Sequence, residues 1–305
     1  RRLVAHGSAL RANGHTGGWV AGERQARLRA SRGTQTPEGF CDRIIGPAKD
    51  VAVMNIREIT ARSALTRTGI EGYDYCLNPY VGCGHGCRYC YATFMKRFTG
   101  HSEPWGDFVD VKANVAHVLR RQLKRVREGT LLIGTVTDPY QPLEKRYRLT
   151  RDCLSALVPT PLEVHILTRS PLVVRDTDIL RQLSHVEVGL SITTNREDVK
   201  QVFEPRAPSI ASRVVALKAL HDAGLRTYVF VGPLLPMDPG VLASMIEGAA
   251  DEVLIDRLNY AGKVAGLLRS SGLAPLMSMP RVRAAARELQ DILTEKGIPV
   301  SILFT

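Results

Sequence analysis

Three cysteines fall within one eight-residue segment, Cys83-Gly-His-Gly-Cys87-Arg-Tyr-Cys90, with three and then two residues between them. Glycines at 82, 84 and 86 lie around them. Thiolates are the protein ligands of iron–sulfur clusters and of structural zinc. Glycine lets a short loop take the turns needed to wrap three sulfurs about one inorganic centre. A closed tetrahedral or cubane site takes four protein ligands, and this loop offers three. A [4Fe–4S] centre held here keeps one iron open to an outside ligand, which turns a cluster from an electron store into a catalyst. A zinc knuckle is the other reading of the loop, with Cys76 or His85 as fourth ligand. Zinc sites usually pair Cys-x2-Cys with a second pair well downstream, and only Cys41 and Cys153 remain for that.

The spacing Cys-x3-Cys-x2-Cys, with Tyr89 just before the last cysteine, resembles the signature of the radical S-adenosylmethionine (SAM) superfamily. The longer run Cys76-Leu-Asn-Pro-Tyr-Val-Gly-Cys83-Gly-His-Gly-Cys87-Arg-Tyr-Cys90-Tyr-Ala92 is similar to the branch that contains spore photoproduct lyase and its uncharacterised relatives. That resemblance implies that Cys83, Cys87 and Cys90 hold three irons of a [4Fe–4S] cluster. It implies that SAM chelates the fourth iron and is cleaved reductively to a 5′-deoxyadenosyl radical, which takes hydrogen from a substrate. Tyr89 would then pack near the adenine or serve as a structural aromatic, and His85 would face a cluster sulfide or solvent. An electron donor of the flavodoxin or ferredoxin type is implied by the one-electron step.

Elements that could position such a loop follow from residue 73 onward. Apolar, strand-like runs at 73–78, 131–136, 163–167, 186–192, 226–232 and 253–258 alternate with helical patterns at 113–128, 150–157, 176–183, 210–223, after Pro239 and at 281–296. A last strand is expected at 300–304, and Gly224 and Gly297 sit where helix C-caps belong. This alternation predicts parallel βαβ units. Six units are too few for a closed eight-fold barrel and fit the partial (βα)6 barrel of the resembled superfamily. Chemistry in such barrels sits at the C-terminal ends of the strands, and the cysteine loop follows the first of them.

The other strand ends are polar. In the resembled branch, a Thr/Ser-Asp pair after the second strand contacts SAM, and Thr137 and Asp138 match it. Arg169, ending the third strand, is placed to meet the SAM carboxylate. Ser191, ending the fourth, lies near the ribose or carboxylate. The run Phe203-Glu204-Pro205-Arg206-Ala207-Pro208 with Arg213, and His221-Asp-Ala-Gly224, also resemble that branch. One position departs: the lyase has a hydrogen-donor cysteine where Thr135 stands here. An O–H bond is much stronger than S–H, so Thr135 is a poor donor to a carbon radical. The resemblance therefore supports the cofactor chemistry, not repair of a thymine photodimer. Cys153 reads as a small buried hydrophobe.

The chain has 305 residues, 44% of them hydrophobic, enough for a substantial core. The chain divides into a basic N-terminal extension at 1–50, a lead-in at 51–72, a core domain at 73–260 and a C-terminal helix and strand at 261–305. The extension is expected to be poorly ordered, with Arg24, Arg27, Arg29 and Arg32 as an arm for phosphates. The net charge of +11 favours polyanionic partners, nucleic acid among them. The basic positions Arg120, Arg121, Lys124, Arg125 and Arg127 of the 113–128 helix read as a solvated face. No apolar run reaches the roughly 20 residues of a membrane span, no apolar secretory signal opens the chain, and a reducing cytosol is the expected compartment. The alternatives are radical modification of RNA, a protein or a small molecule, and a zinc-stabilised nucleic-acid-binding protein without catalysis.

Overall fold

The computed structural model describes residues 54–305. The basic extension with Cys41 and its expected phosphate-gripping arm lies outside the described residues, as does the start of the lead-in. In chain order the strands are β1 (Asn55–Ile59), β2 (Leu65–Arg67), β3 (Tyr75–Leu77), β4 (Tyr80–Gly82), β5 (Phe108–Lys112), β6 (Thr130–Ile133), β7 (Glu163–Thr168), β8 (His185–Ser191), β9 (Arg226–Val231), β10 (Glu252–Ile255) and β11 (Val300–Ile302). The helices are α1 (Val115–Leu123), α2 (Glu144–Tyr147), α3 (Leu149–Leu157), α4 (Thr177–Leu180), α5 (Glu197–Phe203), α6 (Ile210–Asp222), α7 (Pro239–Ile246), α8 (Ala261–Ser270) and α9 (Met279–Glu295).

The main sheet runs β11-β10-β9-β8-β7-β6-β3-β2. Every neighbouring pair in it is parallel except β2–β3, which closes one edge antiparallel. The two outermost strands do not pair with each other, so the sheet stays open as a partial barrel. Alternation explains its two faces. Leu131 and Ile133, Val164 and Ile166, Val188 and Leu190, Val229 and Val231, and Val253 and Ile255 are buried in one continuous core. Each such side chain removed from water contributes roughly 1.5–3 kcal/mol. The intervening residues, among them Cys76, Leu132, Gly189, Ser191 and Tyr228, line the other face.

Several boundaries differ from the sequence reading: the helix expected at 113–128 spans Val115–Leu123 and the strand expected at 253–258 ends at Ile255. The second strand ends at Ile133 rather than 136, because Gly134 takes a left-handed φ of 99° and Asn78 Oδ1 accepts from the Val136 N–H at 3.0 Å. The 176–183 helix is a 3-10 turn over Pro171–Asp176 followed by the short α4. Gly224 and Gly297 do follow α6 and α9 with positive φ.

A second sheet, β1-β5-β4, takes β1 from before β2 and its other two strands from between β3 and α1, and the cysteine loop begins one residue after β4. Gly82 ends that strand at φ 88°, and a Cβ there would stand 2.4 Å from Phe108 O. Gly82→Ala combines left-handed strain with a backbone clash and is expected to lower stability by about 2–4 kcal/mol. Urea unfolding reads this as a lower midpoint at unchanged slope.

Candidate active site

The cysteine loop lies at the C-terminal end of the parallel strands, as expected. Two tight turns shape it: Gly86 N–H donates to Cys83 O and Cys90 N–H to Cys87 O, both at 3.1 Å. Arg88 N–H donates to Phe203 O at 2.9 Å and pins the loop to the end of α5. Cys83 and Cys87 are buried and Cys90 half-buried. Burial pushes all three thiols up, Cys87 to about 12, although Arg169 opposes this at Cys87. Cys83 is raised further by the Asp138 carboxylate and by Cys87 and Cys90, so the three sulfurs lie within one another's field. Such thiols lose their protons only to a positive centre strong enough to outweigh burial, as metal binding does.

The turn after β6 cages the loop from behind. Thr137 Oγ1 donates to Gly82 O at 2.6 Å, and Gly84 N–H donates to Gln141 Oε1 at 2.8 Å. Gln141 is fully buried and was not singled out from sequence; a lone amide in a loop gives no signal there. Asp138 is saturated by the protein. Its Oδ1 accepts from Thr168 Oγ1 at 2.5 Å and Tyr140 N–H at 2.9 Å, and its Oδ2 from Arg169 N–H at 2.8 Å. His85 Nε2 stands 3.3 Å from the same Oδ2. His85 is 2% exposed, which removes the solvent reading of that side chain. Burial alone would raise Asp138; His85, Thr168 and the Arg169 N–H overcome it and hold the carboxyl at about 2.

A second buried knot ties the loop to β7 and β8. Glu204 accepts from Tyr89 Oη, from Thr193 Oγ1 at 2.9 Å and from Arg213 Nη2 at 2.5 Å, with Arg169 Nε at 3.5 Å. Arg213, fully buried, also donates to Ser191 O at 3.0 Å and to Pro208 O at 2.9 Å. Burial pushes Glu204 up, and the two guanidinium groups with Tyr89 bring it down to about 2. Tyr89 thus packs as a structural aromatic, its ring centroid 6.4 Å from that of Phe203. Arg169 donates through Nη2 to Tyr89 Oη at 3.0 Å, which leaves Nη1 without a partner among the described residues. Ser191 is fully buried on the concave face, and its Oγ has no partner. The structure therefore brings Tyr89, Arg169 and Ser191 together around Glu204 and Arg213, and Thr137 and Asp138 around the cysteine loop.

Among the described residues, no three His, Cys, Asp or Glu side chains gather closely enough for a single metal ion. A cubane takes one cysteine per iron and accepts N–H bonds at its sulfurs, and the donor set fits that demand. The Asp138 backbone at Cys83 and the Ala92 backbone at Cys90 each favour the thiolate. Cys76 lies in β3 beside Thr135, and Cys153 is buried in α3, so neither adds to the trio. No helix among the described residues is long and apolar enough to cross a membrane.

Residues 77–253, more than half of the chain, match the family model described as Radical SAM superfamily. An uncharacterised protein of Methanocaldococcus jannaschii is 37% identical over 183 residues, covering 60% of this chain and 69% of that protein. An uncharacterised protein of Mycobacterium tuberculosis is 32% identical over 231 residues, covering 70% and 68%. In fold, the chain is similar to spore photoproduct lyase complexed with dinucleoside spore photoproduct, with a TM-score of 0.59 at 13% identity over 91% of this chain and 87% of the lyase. This sets aside the non-catalytic zinc protein: the chain belongs to the radical SAM superfamily and is a radical SAM enzyme.

Proposed function

We propose that Cys83, Cys87 and Cys90 hold a [4Fe–4S] cluster whose open iron binds SAM, and that the enzyme takes a hydrogen atom from a C–H bond of its substrate. The observation that carries this reading is one loop of tight turns that holds three free thiols, two buried and one half-buried, together with an unpartnered buried hydroxyl at Ser191. Bound there, the cluster would supply the one electron that splits SAM into methionine and a 5′-deoxyadenosyl radical. The protein's own part is to orient and to keep water out. Ser191 Oγ is available to the ribose or carboxylate of SAM, and Arg169 Nη1 to the carboxylate. Thr137 and Asp138, their side chains engaged, serve by fixing the loop from behind. A flavodoxin or ferredoxin is the fitting electron donor.

The test is anoxic reconstitution with iron and sulfide, followed by dithionite and SAM. The protein should turn brown and release 5′-deoxyadenosine. Ser191→Ala should bind SAM about 3–10-fold more weakly with an unchanged cluster spectrum, the loss of one hydrogen bond. A preparation that takes up no iron and sulfide, or that leaves SAM intact, ends this reading.

A further inference from the structure

Four arginines and a histidine from two separate segments meet in one groove on the flank of the barrel. Arg62 and Arg67 come from β2 and the chain just before it, and His117, Arg121 and Arg125 from α1 and the turn after it. The groove holds about 680 Å³, and no Asp or Glu lines it. Arg62, Arg121 and Arg125 are exposed and have no partner among the described residues. Arg67 lies 3.9 Å from Asp74 Oδ1 and stacks over the Tyr75 ring at 4.8 Å. The amides at the groove are already used: Gln122 Oε1 accepts from Ala64 and Leu65 N–H at 2.8 and 2.9 Å, and Asn114 Oδ1 from Ala61 N–H at 2.7 Å. What remains for a ligand is positive charge and one guanidinium plane held over Tyr75.

We propose that this groove docks the phosphate backbone of a single nucleic-acid strand. The sequence alone makes Arg121 and Arg125 part of a solvated helix face; across from them the fold sets Arg62 and Arg67. His117 and Arg121 lie one turn apart, about 6 Å along α1, and Arg125 follows in the turn after it, a basic row suited to successive phosphates. Arginine offers phosphate a planar fork of donors, and the Arg67 guanidinium, held over the Tyr75 ring, adds a plane on which a base can stack. The inference extends the proposed radical function by naming its partner, but binding itself needs neither cluster nor SAM.

The experiment is fluorescence anisotropy of a labelled single-stranded oligonucleotide with the full chain over a range of salt, without cofactors. R62Q/R121Q/R125Q should bind at least tenfold more weakly at low salt and lower the slope of log K against log salt by about 2. R281Q/R287Q, which removes exposed charge from α9, should bind as the unaltered protein does. R121E/R125E serves as a second variant, and matching melting curves establish that each is folded. Three results would overturn the proposal: an unchanged affinity and slope in the triple variant, an equal loss in the α9 variant, or displacement by polyglutamate as effective as by unlabelled oligonucleotide, which would make the partner an acidic protein. Release of 5′-deoxyadenosine by the triple variant, measured separately, keeps the fate of the radical reading apart from this one.

Discussion

Changing Cys83, Cys87 and Cys90 together to alanine is expected to bring iron uptake to background and to cut 5′-deoxyadenosine release by about 10³-fold or more, a barrier increase of about 4 kcal/mol. No reserve ligand set exists among the described residues. Cys76 is committed to β3, and Cys153 is 0% exposed within α3. The loop itself should survive the change, because its turns and its anchor to Phe203 are backbone hydrogen bonds. The loss is therefore chemical: iron and sulfide analysis should collapse while the far-ultraviolet dichroism of the metal-free protein stays the same. A triple variant that reconstitutes and cleaves SAM normally would dismiss the cluster assignment outright.

Glu204→Gln should be the most costly single change to stability. Its carboxylate is fully buried and compensates the fully buried Arg213 and, more distantly, Arg169. Neutralising it strands a guanidinium in the interior, at about 3–5 kcal/mol, or a melting temperature lower by about 10 °C. Removing both partners in Glu204→Leu with Arg213→Met should be milder than the single change, since no charge is left alone. The pH dependence follows the same logic. Glu204 and Asp138 are held at about 2, below the value of about 4 that carboxyls have in an unfolded chain. Their contribution is complete above that unfolded value and is lost as pH falls through about 2. Acid unfolding of Glu204→Gln should accordingly be shallower over that window. A melting temperature within about 2 °C of the parent's, at neutral pH, would refute the assignment of this knot as a principal support.

The parallel sheet was legible because each of its longer strands is an apolar run followed by helical periodicity; β7, β8 and β9 fall within one residue of their expected bounds. The small sheet was not. Its strands are only three to five residues long, and β1 is mostly exposed, so neither length nor alternation marks it. Helix α8 escaped notice because Gly262 and Gly266 interrupt its apolar pattern and no side chain caps its start. At the site, residue type identified Cys83, Cys87 and Cys90, but direction decided the rest. The Thr137 hydroxyl donates to Gly82 O beside the loop, while the Asp138 carboxylate accepts from Thr168, Tyr140 and Arg169. Gln141 acts across 57 residues on Gly84, a partnership that only the fold can reveal.

The unmet strands β2 and β11 leave a gap between the staves. Both edges therefore keep a row of backbone donors and acceptors that no strand among the described residues pairs with, which is where an added strand would lie.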